Sequence, residues 1–171
     1  TAAGQWETAR TLLARNPDTA ALATAADKLV LRDAIDPAVK LVAATLGVLV
    51  NVKFTDAQLL AQQLCDTDPT NAACATAAAI ALHRQGKTSE GVALLAKFPE
   101  AQLRAPTVAP LYGALLAGIG QTEKAAPFLA GARTELLLAE ERGIVANADA
   151  FAGALRRLQE AYQRSPNDPA A

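Results

Sequence analysis

Residues 86–99 (GKTSEGVALLAKFP) and 120–133 (GQTEKAAPFLAGAR) are copies of one another 34 positions apart, aligning Gly86 with Gly120, Thr88 with Thr122 and Leu95 with Leu129. A third copy, 4–17 (GQWETARTLLARNP), shares with the first the glycine, Leu-Leu-Ala, a basic residue and the proline. Thirty-four positions before Gly86 stands Val52, followed by KFTDAQLLAQQLCDTDPTN, in which Phe54, Asp56, Ala57 and Leu60 hold the equivalent places without the glycine. A unit this short cannot bury its apolar face alone, so successive copies must stack. Each reads as a helix, a short turn centred on Val52, Gly86 or Gly120, and a second helix returning antiparallel. Glycine suits the turn because it enters the left-handed conformation without a Cβ penalty. The apolar content of 51%, carried largely by Ala and Leu with only 4% aromatic residues, favours helices in close contact and makes the expected class all-α.

On these residues the chain resembles the tetratricopeptide repeat family, whose 34-residue helix-turn-helix module stacks into a right-handed solenoid. The family's small residue in the first helix corresponds to Thr45, Ala79 and Gly113, and the large apolar residue one turn later to Val48, Leu82 and Leu116. In the second helix the small contact residue corresponds to Ala9, Ala57, Gly91 and Ala125, followed by Leu13, Ala61, Leu95 and Leu129; the closing Asp-Pro is Asp68-Pro69. Departures are Thr45, Gly91 and Val52, and the early prolines of Asn16-Pro17 and Phe98-Pro99, which should shorten their second helices. The resemblance implies one domain: a half repeat at 4–17, an additional or divergent helix at 18–37, repeats at 38–71, 72–105 and 106–139, a capping helix at 140–165 and a tail at 166–171 that is expected to fray. The capping helix rests on Phe151, Leu155, Leu158 and Tyr162 at helical spacing, opposite Arg156, Arg157, Glu160 and Arg164. Such a helix would cover the last unit's apolar face and turn a polar side outward.

The residues carry little that points to catalysis. Gly86-Lys87-Thr88-Ser89 imitates the end of a phosphate-binding loop, but the position five before the Gly-Lys pair is Ala81, in a helix-forming run where a strand and a second glycine are needed. His83 is the sole histidine and has Arg84 beside it, which disfavours its protonation. Glu140-Glu141 reads as helix N-terminal acid complementing the dipole. No HExxH, GxSxG or CxxC occurs, so no catalytic residue, metal or cofactor is assigned. Sixteen basic and seventeen acidic residues, a net charge of −1, give no reason to expect nucleic acid. The longest uncharged stretch, 105–122, contains Pro106, Pro110, Gly113, Gly118 and Gly120, and a helix pair explains it better than a membrane span.

Cys65 and Cys74 lie nine positions apart, at the expected end of one helix and start of the next. A bridge there is geometrically allowed and would contribute about 2.5 to 3 kcal/mol; two small apolar residues in a packing seam are the alternative. A bridge would imply a periplasmic or exported protein, the expectation here, with a cytoplasmic one as the alternative. The lack of Met and the start at Thr1 lead us to expect a processed chain or part of a longer one.

Members of the family bind peptides on the concave face formed by the first helices. Here that face projects Val42, Leu46 and Leu49 from the first full unit, Thr76, Ile80, His83 and Arg84 from the second, and Leu111 from the third. The resemblance therefore implies a non-catalytic scaffold that takes an amphipathic helix or an apolar extended peptide of a protein partner on this face. The family's basic clamp for a C-terminal carboxylate is missing. Alternatives are that the chain's own terminal segments or a second copy cover the face, that the protein is an oligomerisation module, or that these are ordinary core residues.

Overall fold

The computed structural model describes residues 15, 18–30, 36–130, 132 and 137–164. Nearly all of the half repeat 4–17 and the whole tail 166–171 lie outside these residues, as do parts of the segment 18–37 and of the last repeat. The described residues form nine helices and no strand: α1 (Thr19–Val30), α2 (Pro37–Val50), α3 (Phe54–Thr67), α4 (Ala72–Arg84), α5 (Thr88–Leu95), α6 (Glu100–Leu103), α7 (Ala109–Gly118), α8 (Thr122–Leu129) and α9 (Ala139–Arg164).

The helix ends follow from local chemistry. Asp36 caps α2 by accepting the Ala38 N–H at 2.8 Å, with Pro37 in the first turn where it has no N–H to waste. Asn71 does the same for α4, its Oδ1 accepting from Ala73 at 3.1 Å and Cys74 at 3.4 Å. Helix α5, followed by Pro99, stops after 8 residues, as does α8, whereas α3 runs for 14. Pro99 then opens the four-residue α6.

First helices end at Val50, Arg84 and Gly118 and second helices begin at Phe54, Thr88 and Thr122, so both boundaries recur every 34 residues. In the second and third turns Gly86 (φ 77°) and Gly120 (φ 81°) are left-handed. The next N–H then reaches back five residues, Lys87 to Leu82 O and Gln121 to Leu116 O, both at 2.9 Å. In the first turn that bond forms one residue earlier, from Val52 N–H to Gly47 O at 3.1 Å. Asn51 (φ 59°) is the left-handed residue there, and Lys53 (φ 45°) makes up the missing step. The turn is thus not centred on Val52 as its sequence position suggests: a β-branched residue avoids the left-handed region, while asparagine tolerates it.

Neighbouring helices pack as pairs, α2 with α3, α4 with α5 and α7 with α8, and the pairs join through α3 against α4 and α5 against α7. Helix α1, within the segment expected to hold an extra helix, packs on α2. Small residues let the backbones approach. A Cβ on Gly91 would sit 2.9 Å from Ala79 O, so the position that looked weak in sequence is where α4 and α5 touch. In the first pair Gly47, rather than Thr45, makes the approach, with room for no Cβ against Ala57. The third pair adds an edge-on contact of Tyr112 with Phe128, ring centroids 5.0 Å apart.

Candidate functional site

The first helices α2, α4 and α7 pack side by side, and the residues expected to meet a partner lie on them. Leu46, Leu49, Ile80 and Leu111 are all buried in the main core, and Thr76 is buried beside them. Val42 and His83 are half-buried and Arg84 is exposed. The chain's own last helix covers this face on its α7 side. Helix α9 packs chiefly on α7 and touches α2 and its sequence neighbour α8 only at their margins.

The contact is made by the start of α9 and the two residues before it. Leu137, Leu138 and Glu141 are each 0% exposed, and Val145 and Ala148 continue the buried stripe. The spacing 138, 141, 145, 148 is one face of an α-helix. Glu141 lines one small cavity with Thr45 of α2, Thr76 and Ile80 of α4, and Thr107 and Val108 just before α7. Its Oε2 accepts the Leu138 N–H at 2.9 Å, the return half of a capping box, which gives the helix-start acid read from the sequence a definite partner. Beside it, Glu140 accepts a hydrogen bond from the hydroxyl of buried Thr19, tying the start of α1 to the start of α9. Arg142 donates to Leu137 O at 2.6 Å and holds the entering strand of chain against the helix.

The polar residues at the rim serve the array. His83 Nδ1 lies 2.9 Å from the Thr88 hydroxyl, closing the turn between α4 and α5. Burial, aided by the neighbouring Arg84 charge, lowers its pKa. The Arg84 guanidinium donates to Leu49 O, satisfying an end carbonyl of α2 from the next first helix. Of the residues that imitate a phosphate loop, Lys87 stands between α4 and α5 and Thr88 opens α5, whereas that loop requires a strand before it.

Cys65 and Cys74 are free thiols packed in one small cluster with Leu41, Ala44 and Leu64. Burial pushes Cys65 up to about 12 and Cys74 to about 11, each further raised by nearby negative charge. Both therefore stay protonated and slow to react at neutral pH. The structure gives no bridge to carry an argument for export.

The sequence reading of α9 needs one correction. Of its stripe, Phe151 is 51% and Leu158 63% exposed, while Leu155 is half-buried. The side chain of Tyr162 lies outside the described residues. The residues that do the covering, Leu137, Leu138 and Glu141, were not singled out for it. Their signal was the apolar run Leu136-Leu137-Leu138 directly before an acidic helix start, more hydrophobic than a connection needs.

Among the described residues no helix is long and apolar enough to cross a membrane, and no cluster of His, Cys, Asp and Glu could hold a metal ion. The described residues define an all-helical protein of packed neighbouring helix pairs, with its last helix packed chiefly on α7. No family model matches the chain, and no curated protein or solved structure matches it either.

Proposed function

We propose that the chain is a non-catalytic interaction scaffold, a right-handed solenoid of the tetratricopeptide type whose concave first-helix face receives an amphipathic helix of a protein partner. The observation that carries this reading is that the face already holds such a helix. The turn of Leu137 and Leu138, with Glu141, Val145 and Ala148, lies against α2 and α7 as helix-in-groove recognition requires. The 34-residue recurrence of helix boundaries supports the solenoid. A partner helix on this face would carry an apolar stripe with a carboxylate one turn in, since Thr45, Thr76 and Thr107 surround Glu141.

The test is a labelled peptide of residues 137–150 titrated into the full chain and into a Leu138→Ser variant whose own helix is weakened at its anchor. Saturable binding is expected, tighter to the variant because the competing helix has left, and lost when the peptide carries Val145→Asp. A folded variant that ignores the peptide would sink the reading.

A further inference from the structure

We propose that the cavity between the end of α3 and the turn after α5 binds a small apolar organic cation, an ammonium group carried on an aliphatic or aromatic body. The cavity follows from an irregularity in the array. Displaced by 34 residues, α5 covers the counterparts of residues 54–61 of α3 and then stops. The counterparts of 62–65 are 96–99, a turn closed by the Phe98 N–H onto Leu95 O at 3.0 Å. Beside the last turns of α3 the chain thus bends away, and a cavity of about 440 Å³ stands there, a size that suits a small molecule. None of the residues expected to meet a partner on the first-helix face lines it.

The lining sets the ligand. Half-buried Leu94 and Phe98 and buried Ala75 give an apolar wall for its body. The charged side chains of the lining are Asp66, Asp68 and Lys97, two carboxylates against one ammonium. Asp66 accepts from the Gln62 amide at 3.0 Å and Asp68 from the Thr70 hydroxyl at 2.8 Å, neutral donors that leave both charges in place. The carboxylates prevail where Cys65 lines the same cavity: burial chiefly, with Cys74, Asp66 and Asp68 acting in the same sense, pushes this thiol up to about 12. The C-terminal turns of α3 and α5 both contribute lining residues and neither holds a basic residue, so the partial negative charge at each helix end also favours a cation. An anion is disfavoured, because at the start of α4 the Ala73 and Cys74 N–H groups are already taken by Asn71 Oδ1, at 3.1 and 3.4 Å. The Phe98 ring adds a π surface suited to the same ammonium.

The experiment is a titration of the isotopically labelled full chain, followed by amide chemical shifts, with tryptamine as the probe, a monocation at neutral pH. Uncharged indole-3-ethanol and anionic indole-3-propionate are the controls. Saturable shifts centred on Ala75, Lys97 and Phe98 are expected, with the amine binding at least about tenfold more tightly than the alcohol and the carboxylate weakest. Asp66→Asn should weaken the amine and Lys97→Gln should tighten it, and raising salt from about 20 mM to about 0.5 M should weaken it. Gln102→Trp, which fills the cavity from its rim, should abolish binding. Asp66, Lys97 and Gln102 are all exposed, so these variants keep the fold, which circular dichroism checks. Equal affinities for amine and alcohol overturn the proposal, as does amine binding that is unchanged in Asp66→Asn and Gln102→Trp, or shifts centred away from the cavity. A blocked Leu-Lys-Leu tripeptide brings the same ammonium on a peptide: tighter binding of it than of tryptamine assigns the cavity to a partner's lysine and overturns the small-molecule ligand.

Discussion

The two ends of α9 belong to one uninterrupted helix and are both amphipathic, yet their apolar residues meet opposite fates. At the near end Leu138 and Val145 are buried with α7 and α2 beneath them; at the far end Phe151 and Leu158 project into solvent. Helical spacing determines which residues share a face, and it does so equally well in both halves. It does not supply a neighbour. The near half is held because α7 lies under it and because Glu140 finds the Thr19 hydroxyl across 121 positions of sequence; Phe151 and Leu158 in the far half are left exposed.

This contrast can be broken most directly at Leu138. Replacing this fully buried side chain with Asp places a carboxylate in the core and should cost more than about 3 kcal/mol, with Leu138→Ala costing about 2 to 5 kcal/mol by cavity formation. Urea denaturation followed by circular dichroism measures both. A loss below about 1 kcal/mol for Leu138→Ala would mean that the helix start is not docked.

Glu141→Ala comes next. It leaves the Leu138 N–H without its acceptor in a site with no water contact, which should cost about 1 to 3 kcal/mol, and Glu141→Gln, which keeps an acceptor oxygen, should cost less. Equal losses for the two substitutions would remove the capping bond from the account.

A smaller effect belongs to the rim. Because burial lowers the pKa of His83 in the folded chain, the unfolded chain binds the proton more readily. Stability from this group is complete above about pH 6.5 and falls as pH drops through that value toward the folded pKa. Denaturation midpoints between pH 8 and pH 5 should therefore decline by less in His83→Gln than in the wild-type chain. A steeper decline in the variant would reverse the sign and the assignment.

The smallest change is expected at the far end of α9. Leu158→Ser alters an exposed side chain and should shift stability by no more than about 0.5 kcal/mol. If it costs as much as Leu138→Ala, the far half has a partner in solution and the contrast between the two ends disappears.

Much of the array was legible before any coordinates. The 34-residue spacing of the glycine turns anticipated the recurring helix boundaries at 50/54, 84/88 and 118/122, because turn chemistry is local and a left-handed residue must stand wherever such a turn closes. The first turn shows the limit. With no glycine at 52, the alignment could not tell that Asn51 and Lys53 would share the task, since that depends on which of three adjacent residues the packed helices force into the left-handed region. The first-helix face was legible as apolar, and Leu46, Leu49, Ile80 and Leu111 are apolar and face inward. That its occupant is α9 was not, because no local pattern links residue 141 to residues 45, 76 and 107.

Periodicity and propensity alone determined that this chain is helical, that its helices come in pairs, and which side of each is apolar; these follow from backbone sterics and side-chain spacing acting over a few residues. Only the tertiary structure decided that the apolar face closes over the chain's own helix start, that Arg84 and His83 bind the array together, and that Phe151 and Leu158 are left uncovered. Burial is a property of pairs of surfaces, and the partner of a surface can stand far along the chain, as Thr19 does from Glu140.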